Sequence, residues 1–462
     1  MNIKKVAIIG AGPAGLATAR ALKTLGIPFV VYEKHANVGG IWDTTNPGSP
    51  MYNSAHFISS RDMSGHLAYP MPSDYPDYPS NGQILAYIKD FALHYDLLSS
   101  IHFNTEITDI SFSDDVWAVK GKDLDGKPFN DQSSWLVCAS GTNWHKSQPS
   151  LKGQEKFDGE LMHSVDYHDS ASLSGQRVLV VGAGNSGVDI ACDAAFSAKE
   201  AYISMRRGYH FVPKHLFGMP SDVFGSQSDW MPTKLQQLVF GGMLRMLNGD
   251  LRRLGLQKPD HKVLSSHPIL NTQLLHYLQH GDIKAMPDIQ RLEGNTVHFV
   301  DRRSVEVDKI IMATGYQWKV PYLADQFFEW KGGRPQTFMK IFNSDHPSLF
   351  VNGFVETNGG AYKLFDDMAY LIAKTIETQI QDSKKAALIQ RYIEGQEPDL
   401  GGQVNYVKSD RHIGYTNSNA YQKALKAMRR TFDWPDLDES FYKAATSNKT
   451  AQTNQPAVTA SS

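Results

Sequence analysis

The sequence predicts an α/β fold of two doubly wound units, with the second inserted into the first. Three observations predict it. The order strand, glycine turn, helix, strand occurs twice, opening at Lys5 and again at Arg177. The strands are continuous apolar runs, such as Val6-Ala7-Ile8-Ile9 and Val178-Leu179-Val180-Val181, the pattern of parallel strands covered on both faces. After the second unit the chain returns to a further strand and helix, so the first unit draws on both ends of the chain.

The elements follow in order. Lys5 to Ile9 reads as a buried strand, and Pro13 to Leu25 repeats apolar residues at helical spacing, with Gly26 placed to end the helix. Pro28 to Glu33 is a second buried strand. Residues 43–80 are rich in Pro, Ser, Asp and Tyr without periodicity, and so long an irregular stretch is usually functional or mobile. Asn81 is expected to cap a helix that places Ile84, Leu85, Ile88, Phe91 and Tyr95 on one face. Short strands are expected at 101–105, 107–112, 117–120 and 135–140. In the second unit, strand 177–181 leads through Gly182 to Gly187 into helix 188–196 and strand 201–204. A mostly helical insertion covers about 213–282, followed by strands at 283–286, 296–300 and 309–313. The last part holds a strand at 349–352, the turn Asn358-Gly359-Gly360 and a helix over about 366–380. The expected division is 1–168 and 319–445 for the first unit, 169–318 for the second, and a disordered polar tail at 446–462.

Composition narrows the function classes. A chain of 462 residues, 41% apolar and 20% charged, predicts two or three ordinary globular domains. The formal net charge of −2 supplies no bulk attraction to nucleic acid or to an anionic membrane. The two cysteines, Cys138 and Cys192, sit in apolar segments, and without a CxxC there is no redox dithiol and no zinc ribbon; no metal site is expected. No apolar core of a signal peptide precedes the first strand, and no run of about 18 apolar residues occurs, so a cytoplasmic protein without a membrane span is expected.

The chemistry lies in the two turns. In Gly10-Ala11-Gly12-Pro13-Ala14-Gly15 the first glycine permits the tight turn, the second admits a pyrophosphate to the backbone, and the third lets the helix approach the strand. The helix N-terminus offers free N–H groups to the phosphates. Glu33, 18 residues after Gly15 at the end of the second strand, is placed to accept hydrogen bonds from ribose hydroxyls. Gly39-Gly40-Ile41-Trp42 then reads as a loop pressed against the cofactor, which favours FAD over NAD at this turn. Gly182, Gly184 and Gly187 repeat the arrangement, with Asn185 and Ser186 opening the helix. Here Arg206, 19 residues after Gly187, and Arg207 lie near the position of Glu33. Guanidinium groups pair with a 2′-phosphate that an acid would repel, so this turn is assigned to NADP(H). Two dinucleotides on one chain imply hydride transfer from NADPH to the flavin.

Between the units runs Phe157-Asp158-Gly159-Glu160-Leu161-Met162-His163-Ser164-Val165-Asp166-Tyr167, which matches FxGxxxHxxx[Y/F]. With the two turns, Gly39 to Trp42 and Ala313-Thr314-Gly315-Tyr316, the chain resembles the flavin-containing monooxygenases, in the form of their soluble bacterial members. The resemblance spans about residues 3–435. Tyr167 at the end of the pattern favours the branch that oxygenates amines and sulfides over the Baeyer–Villiger branch that acts on ketones.

The resemblance implies that NADPH reduces FAD, that reduced flavin and O₂ form a C4a-hydroperoxide, and that an amine nitrogen or sulfide sulfur attacks its distal oxygen. An uncoupled NADPH oxidase or flavin reductase is the alternative outside oxygenation. The family carries its chemistry on the flavin, so no acid–base dyad is expected in the protein. Gly10 to Gly15, Glu33, Gly40, Ile41 and Trp42 are implied to contact FAD, with Ile107 at the adenine end and Thr314 and Gly315 near the flavin. Gly182, Gly184, Asn185, Ser186, Gly187, Arg206 and Arg207 are implied to contact NADP. His163 is read as a residue that orients the two units. Ile58, before Ser59-Ser60-Arg61-Asp62-Met63, stands where many members have an Asn. An apolar side chain there cannot hydrogen-bond a peroxide or a nicotinamide. The implied partners are O₂ and a small amine, sulfide or ketone, with room for a homodimer.

Overall fold

The computed structural model describes residues 4–442 apart from Asp229, Asp410 and Arg411; the tail expected at 446–462 lies outside them. Two five-stranded parallel sheets dominate. The first has the order Leu349–Val351, Trp135–Cys138, Val6–Ile9, Phe29–Tyr32, Ile101–His102. The second has the order Ile283–Met286, Glu200–Ser204, Arg177–Val181, Lys309–Met312, Glu160–His163. Each sheet thus takes its opening strand at the centre and covers it with a glycine-turn helix, Pro13–Thr24 in one and Asn185–Ser197 in the other.

The repeat goes further than the turns. Each unit inserts a three-stranded antiparallel meander before the strand that returns beside its first: Glu106–Ser113, Val116–Lys122 and Pro128–Ser133 in one, Ile289–Glu293, Thr296–Phe299 and Ser304–Glu306 in the other. Pro128–Ser133, Ile289–Glu293 and Ser304–Glu306 carry too few apolar residues to read as strands alone; pairing with a neighbour makes them so. The fifth strand of each sheet comes from outside its repeat. Leu349–Val351 closes the first sheet from the C-terminal part, and Glu160–His163 closes the second from the linking segment before residue 169.

Two local expectations change. The helix Asn81–His94 is capped by Ser80, not Asn81: Ser80 Oγ accepts from the Gln83 amide, and Gln83 Oε1 accepts from the Ser80 amide. Ser-x-x-Gln is a reciprocal capping box, which leaves Asn81 as the first helical residue. The helix expected over about 366–380 begins earlier, at Tyr362, and helices Ser383–Ile393 and Ser418–Thr431 follow it. The segment 213–282 holds the helices Thr233–Asn248 and Gln273–His280 with short irregular pieces.

A buried ion pair joins the ends of the chain. Arg20, on the first glycine-turn helix, donates from Nη2 to Asp366 Oδ1 at 2.6 Å, and the two side chains are 1% and 0% exposed. The same carboxylate oxygen meets His66 Nδ1 at 2.9 Å, and its partner oxygen accepts from the Leu67 amide at 2.7 Å. The guanidinium lies over the Tyr442 ring, 3.5 Å from its centroid. Burial acts against the Asp366 charge, but Arg20, His66 and the Leu67 amide hold its carboxyl below the usual range. Asp366→Ala leaves Arg20 charged and unpaired in the core and is expected to cost about 3–5 kcal/mol, measured as a fall in urea unfolding midpoint.

Candidate functional site

The two glycine turns match in backbone angle, hydrogen bonding and close approach. Gly10 and Gly182 have φ of +108° and +107°, a region that L side chains rarely adopt. Their amides donate to Tyr32 O at 2.8 Å and Ser204 O at 3.0 Å, the last residue of each second strand. A Cβ on Gly15 would stand 1.9 Å from Gly10 O, and one on Gly187 would stand 2.1 Å from Gly182 O. Helix and strand can cross this closely only with hydrogen at both positions. The first helical hydrogen bond in each runs from residue 16 to Gly12 and from residue 188 to Gly184. The amides of Gly12, Ala14 and Gly15, and those of Gly184, Ser186 and Gly187, have no acceptor among the described residues. Each turn therefore presents the donor set of an anion cradle at a helix N-terminus.

The turns differ at the strand ends. Glu33 is 4% exposed; its Oε2 accepts from the Ala11 amide at 2.7 Å and its Oε1 from the His35 amide at 3.0 Å. Burial pushes its carboxyl upward, and those two amides oppose the shift. Strand register makes Met205 the equivalent of Glu33 in the second unit, with Arg206 one residue later. Met205 is buried and offers no carboxylate, so the Ala183 amide lacks the acceptor that Ala11 has. Arg206 is exposed, Arg207 lies 5.3 Å from the Tyr209 ring centroid and within electrostatic reach of Asp260, and neither forms a direct ion pair among the described residues. Gly208 passes under residues 257–259 so closely that a Cβ would meet Gln257 O at 2.3 Å, which pins the arginine loop to the insertion.

The loop after Glu33 closes on the first turn. Gly39 donates to Ala11 O at 3.2 Å, and a Cβ on Gly40 would stand 3.2 Å from the Gly12 Cα. The glycine pair thus packs on the turn itself. Ile41 is half-buried, while Trp42 is buried with its ring 5.1 Å from Phe57, which lies 5.4 Å from Tyr362. Ile107 is buried in the core beneath the first sheet among Tyr32, Val30 and Trp117. Ile58 is 39% exposed and stands apart from that core. Next to it, Ser59 Oγ accepts from Ser64 Oγ at 2.8 Å and the Ser60 amide donates to Asp222 Oδ2 at 2.6 Å.

The linking segment ties the units together. His163 is fully buried; its Nδ1 accepts from the Val165 amide at 3.1 Å, so Nε2 carries the proton and donates to Gly315 O at 3.2 Å. This staples the segment to Thr314-Gly315, where Thr314 Oγ1 bonds Ser147 O. Tyr167 donates to Asp193 at 2.8 Å and Tyr52 donates to Asp189 at 3.0 Å. Those carboxylates lie four residues apart on the second glycine-turn helix, so one helix face holds both the linker and the irregular segment 43–80.

Sequence reasoning missed Asn352 and Gly353. Asn352 Nδ2 donates to Ala14 O at 3.2 Å and Thr18 Oγ1 at 3.0 Å, and its Oδ1 is buried without a partner. A Cβ on Gly353 would lie 2.8 Å from Ala14 Cβ. Their one signal was an Asn-Gly pair directly after a buried strand.

Among the described residues no three His, Cys, Asp or Glu groups gather as metal ligands, and no helix is long and apolar enough to cross a membrane. The family model described as "Flavin-binding monooxygenase-like" matches residues 3–446. Flavin-containing monooxygenase 5 of Homo sapiens is 30% identical over 432 residues, covering 87% of this chain and 81% of that protein. The probable indole-3-pyruvate monooxygenase YUCCA8 of Arabidopsis thaliana is 28% identical over 344 residues, covering 71% and 79%. In fold, the chain is similar to S-allyl-L-cysteine S-oxygenase from Allium sativum, with a TM-score of 0.65 at 20% identity over 98% of this chain and 94% of that one. It is similar also to a steroid monooxygenase bound to NADP, with a TM-score of 0.66 at 16% identity over 95% and 98%.

Burial holds the His163 imidazole below its ordinary value of 6.5. A histidine lowered on folding contributes stability that is complete above the unfolded value and declines as pH falls toward the folded one. Unfolding midpoints are therefore expected to drop as pH falls below 6.5, and His163→Gln, which loses the titration, is expected to flatten part of that slope.

Proposed function

The chain belongs to the flavin-binding monooxygenase-like family and is a flavin-dependent oxidoreductase of that kind, and from that premise we propose that it uses FAD, NADPH and O₂ to oxygenate a nitrogen or sulfur atom of a small organic molecule. The net reaction consumes NADPH, a proton, O₂ and substrate, and yields NADP⁺, water and the oxygenated product. Bound FAD supplies the electron transfer and oxygen activation. The residues supply binding, orientation and exclusion of water.

The observation that carries the reading is the contrast between two otherwise matching turns. Gly10 to Gly15 with Glu33 receives FAD: the free amides take its pyrophosphate and the buried carboxylate faces its ribose. The orphaned Oδ1 of Asn352, beside Ala14, adds an acceptor at the same turn. Gly182 to Gly187 receives NADP(H), with Asn185 and Ser186 at its helix and Arg206 and Arg207 on the 2′-phosphate. On this reading the first sheet with most of 1–168 and 319–445 is the FAD domain, and 169–318, joined by the strand Glu160–His163, is the NADP domain. The His163–Gly315 staple and the Tyr52 and Tyr167 bonds set how the two cofactors face each other. Gly40, Ile41, Trp42, Thr314 and Gly315 line the flavin side. A second reading, uncoupled NADPH oxidation, rests on Ile58, which offers no hydrogen-bonding atom where it is exposed.

Two measurements test the proposal. With a simple sulfide or tertiary amine, NADPH oxidised is expected to match S-oxide or N-oxide formed. Release of one H₂O₂ per NADPH, with no product from amines, sulfides or ketones, overturns it. Separately, Arg206→Ala with Arg207→Ala is expected to raise KM for NADPH by roughly 10–100-fold while leaving that for NADH nearly unchanged, because only NADPH carries the charge-assisted phosphate contacts. Equal effects on the two would remove the 2′-phosphate assignment.

A further inference from the structure

A cationic cleft lies among residues that belong to neither glycine turn. It opens between the helices Tyr362–Gln381 and Ser418–Thr431, has a volume of about 420 Å³, and is lined by Leu67, Lys363, Asp367, Lys423, Lys426 and Arg429 among others. Lys423, Lys426 and Arg429 recur at a spacing of three along the second helix, with the two lysines exposed and the arginine buried. Arg429 sits at the base, 7% exposed; its Nη1 bonds Asp367 Oδ1, and its Nε is buried with no acceptor. Lys426 reaches Asp436 only at 3.9 Å, with both side chains largely in solvent. Lys363 and Lys423 have no carboxylate partner among the described residues. The Arg429 charge is thus matched by Asp367, Lys426 has only a distant partner in Asp436, and Lys363 and Lys423 add two further cations to the cleft wall.

We propose that this cleft binds a phosphate-type oxyanion, free or carried on a small metabolite, between the ammonium groups of Lys363, Lys423 and Lys426. A tetrahedral dianion offers several acceptor oxygens to a set of donors fixed on two helices, and ammonium groups suit it. The site is separate from the 2′-phosphate position at Arg206 and Arg207, which lie on the second sheet's unit. It also touches the core: Leu67 lines the cleft, and its backbone is held by Arg20 and Asp366 beside the first glycine turn's helix.

The test is calorimetric titration of the FAD-loaded enzyme with inorganic phosphate, at ionic strength held constant with chloride. Saturable binding is expected, displaced by sulfate and not by chloride. It is expected to persist in Arg206→Ala/Arg207→Ala and to weaken by roughly tenfold or more in Lys363→Ala/Lys423→Ala, in line with loss of charge-assisted contacts. Lys423→Glu, at an exposed helix position, is the second variant and is expected to abolish binding. Absence of saturable heat, equal competition by chloride, or unchanged affinity in the lysine variants overturns the proposal. Loss of all phosphate binding in the arginine variant would assign it to the nucleotide site and overturn it equally.

Discussion

The architecture depends on one steric constraint, met twice. A helix must leave its strand so sharply that the carbonyl of Gly10, or of Gly182, lies where a side chain would otherwise begin at Gly15 or Gly187. That contact aims the helix N-terminus across the end of the strand and leaves three amides without acceptors. Everything downstream, the anion cradle included, follows from the absence of two β-carbons. The cost is a turn that backbone sterics alone would resist, and the packing of each helix on its parallel sheet offsets it.

Fixing two such turns on one chain creates a second problem, their mutual orientation. The protein solves it with polar contacts from short segments. His163 uses both ring nitrogens, one to order its own segment and one to reach Gly315. Tyr52 and Tyr167 reach two carboxylates on the second helix. These are directional bonds in buried or half-buried surroundings, so they specify geometry more than they add stability. The Arg20–Asp366–His66 cluster does comparable work within the first unit, holding its N-terminal helix against a helix contributed more than three hundred residues later.

Much of this was legible in the sequence because its signals are local. Apolar runs of four or five residues bounded by glycine turns mark the parallel strands, and glycine spacing marks both cradles. The amphipathic helix at 81–94 was legible in its periodicity, although its cap was displaced by one residue: Ser80 and Gln83 act as a pair, and Asn81 alone looked sufficient. Strands such as Pro128–Ser133 were hidden because edge meanders are specified by their neighbours and carry no apolar alternation of their own.

The sequence by itself determined that two dinucleotide-type turns exist, where they lie, and that one second strand leads to Glu33 and the other to paired arginines. These are properties of residues near one another along the chain. Only the tertiary structure decided that Met205, and not Arg206, occupies the register of Glu33, that Gly40 packs on Gly12, and that Asn352 returns from the far end of the chain to Ala14. It also brought Lys363 and Lys423 to the two sides of one cleft. The physical reason is that strand register and long-range packing are set by the pairing of surfaces, and no single surface carries its partner's address.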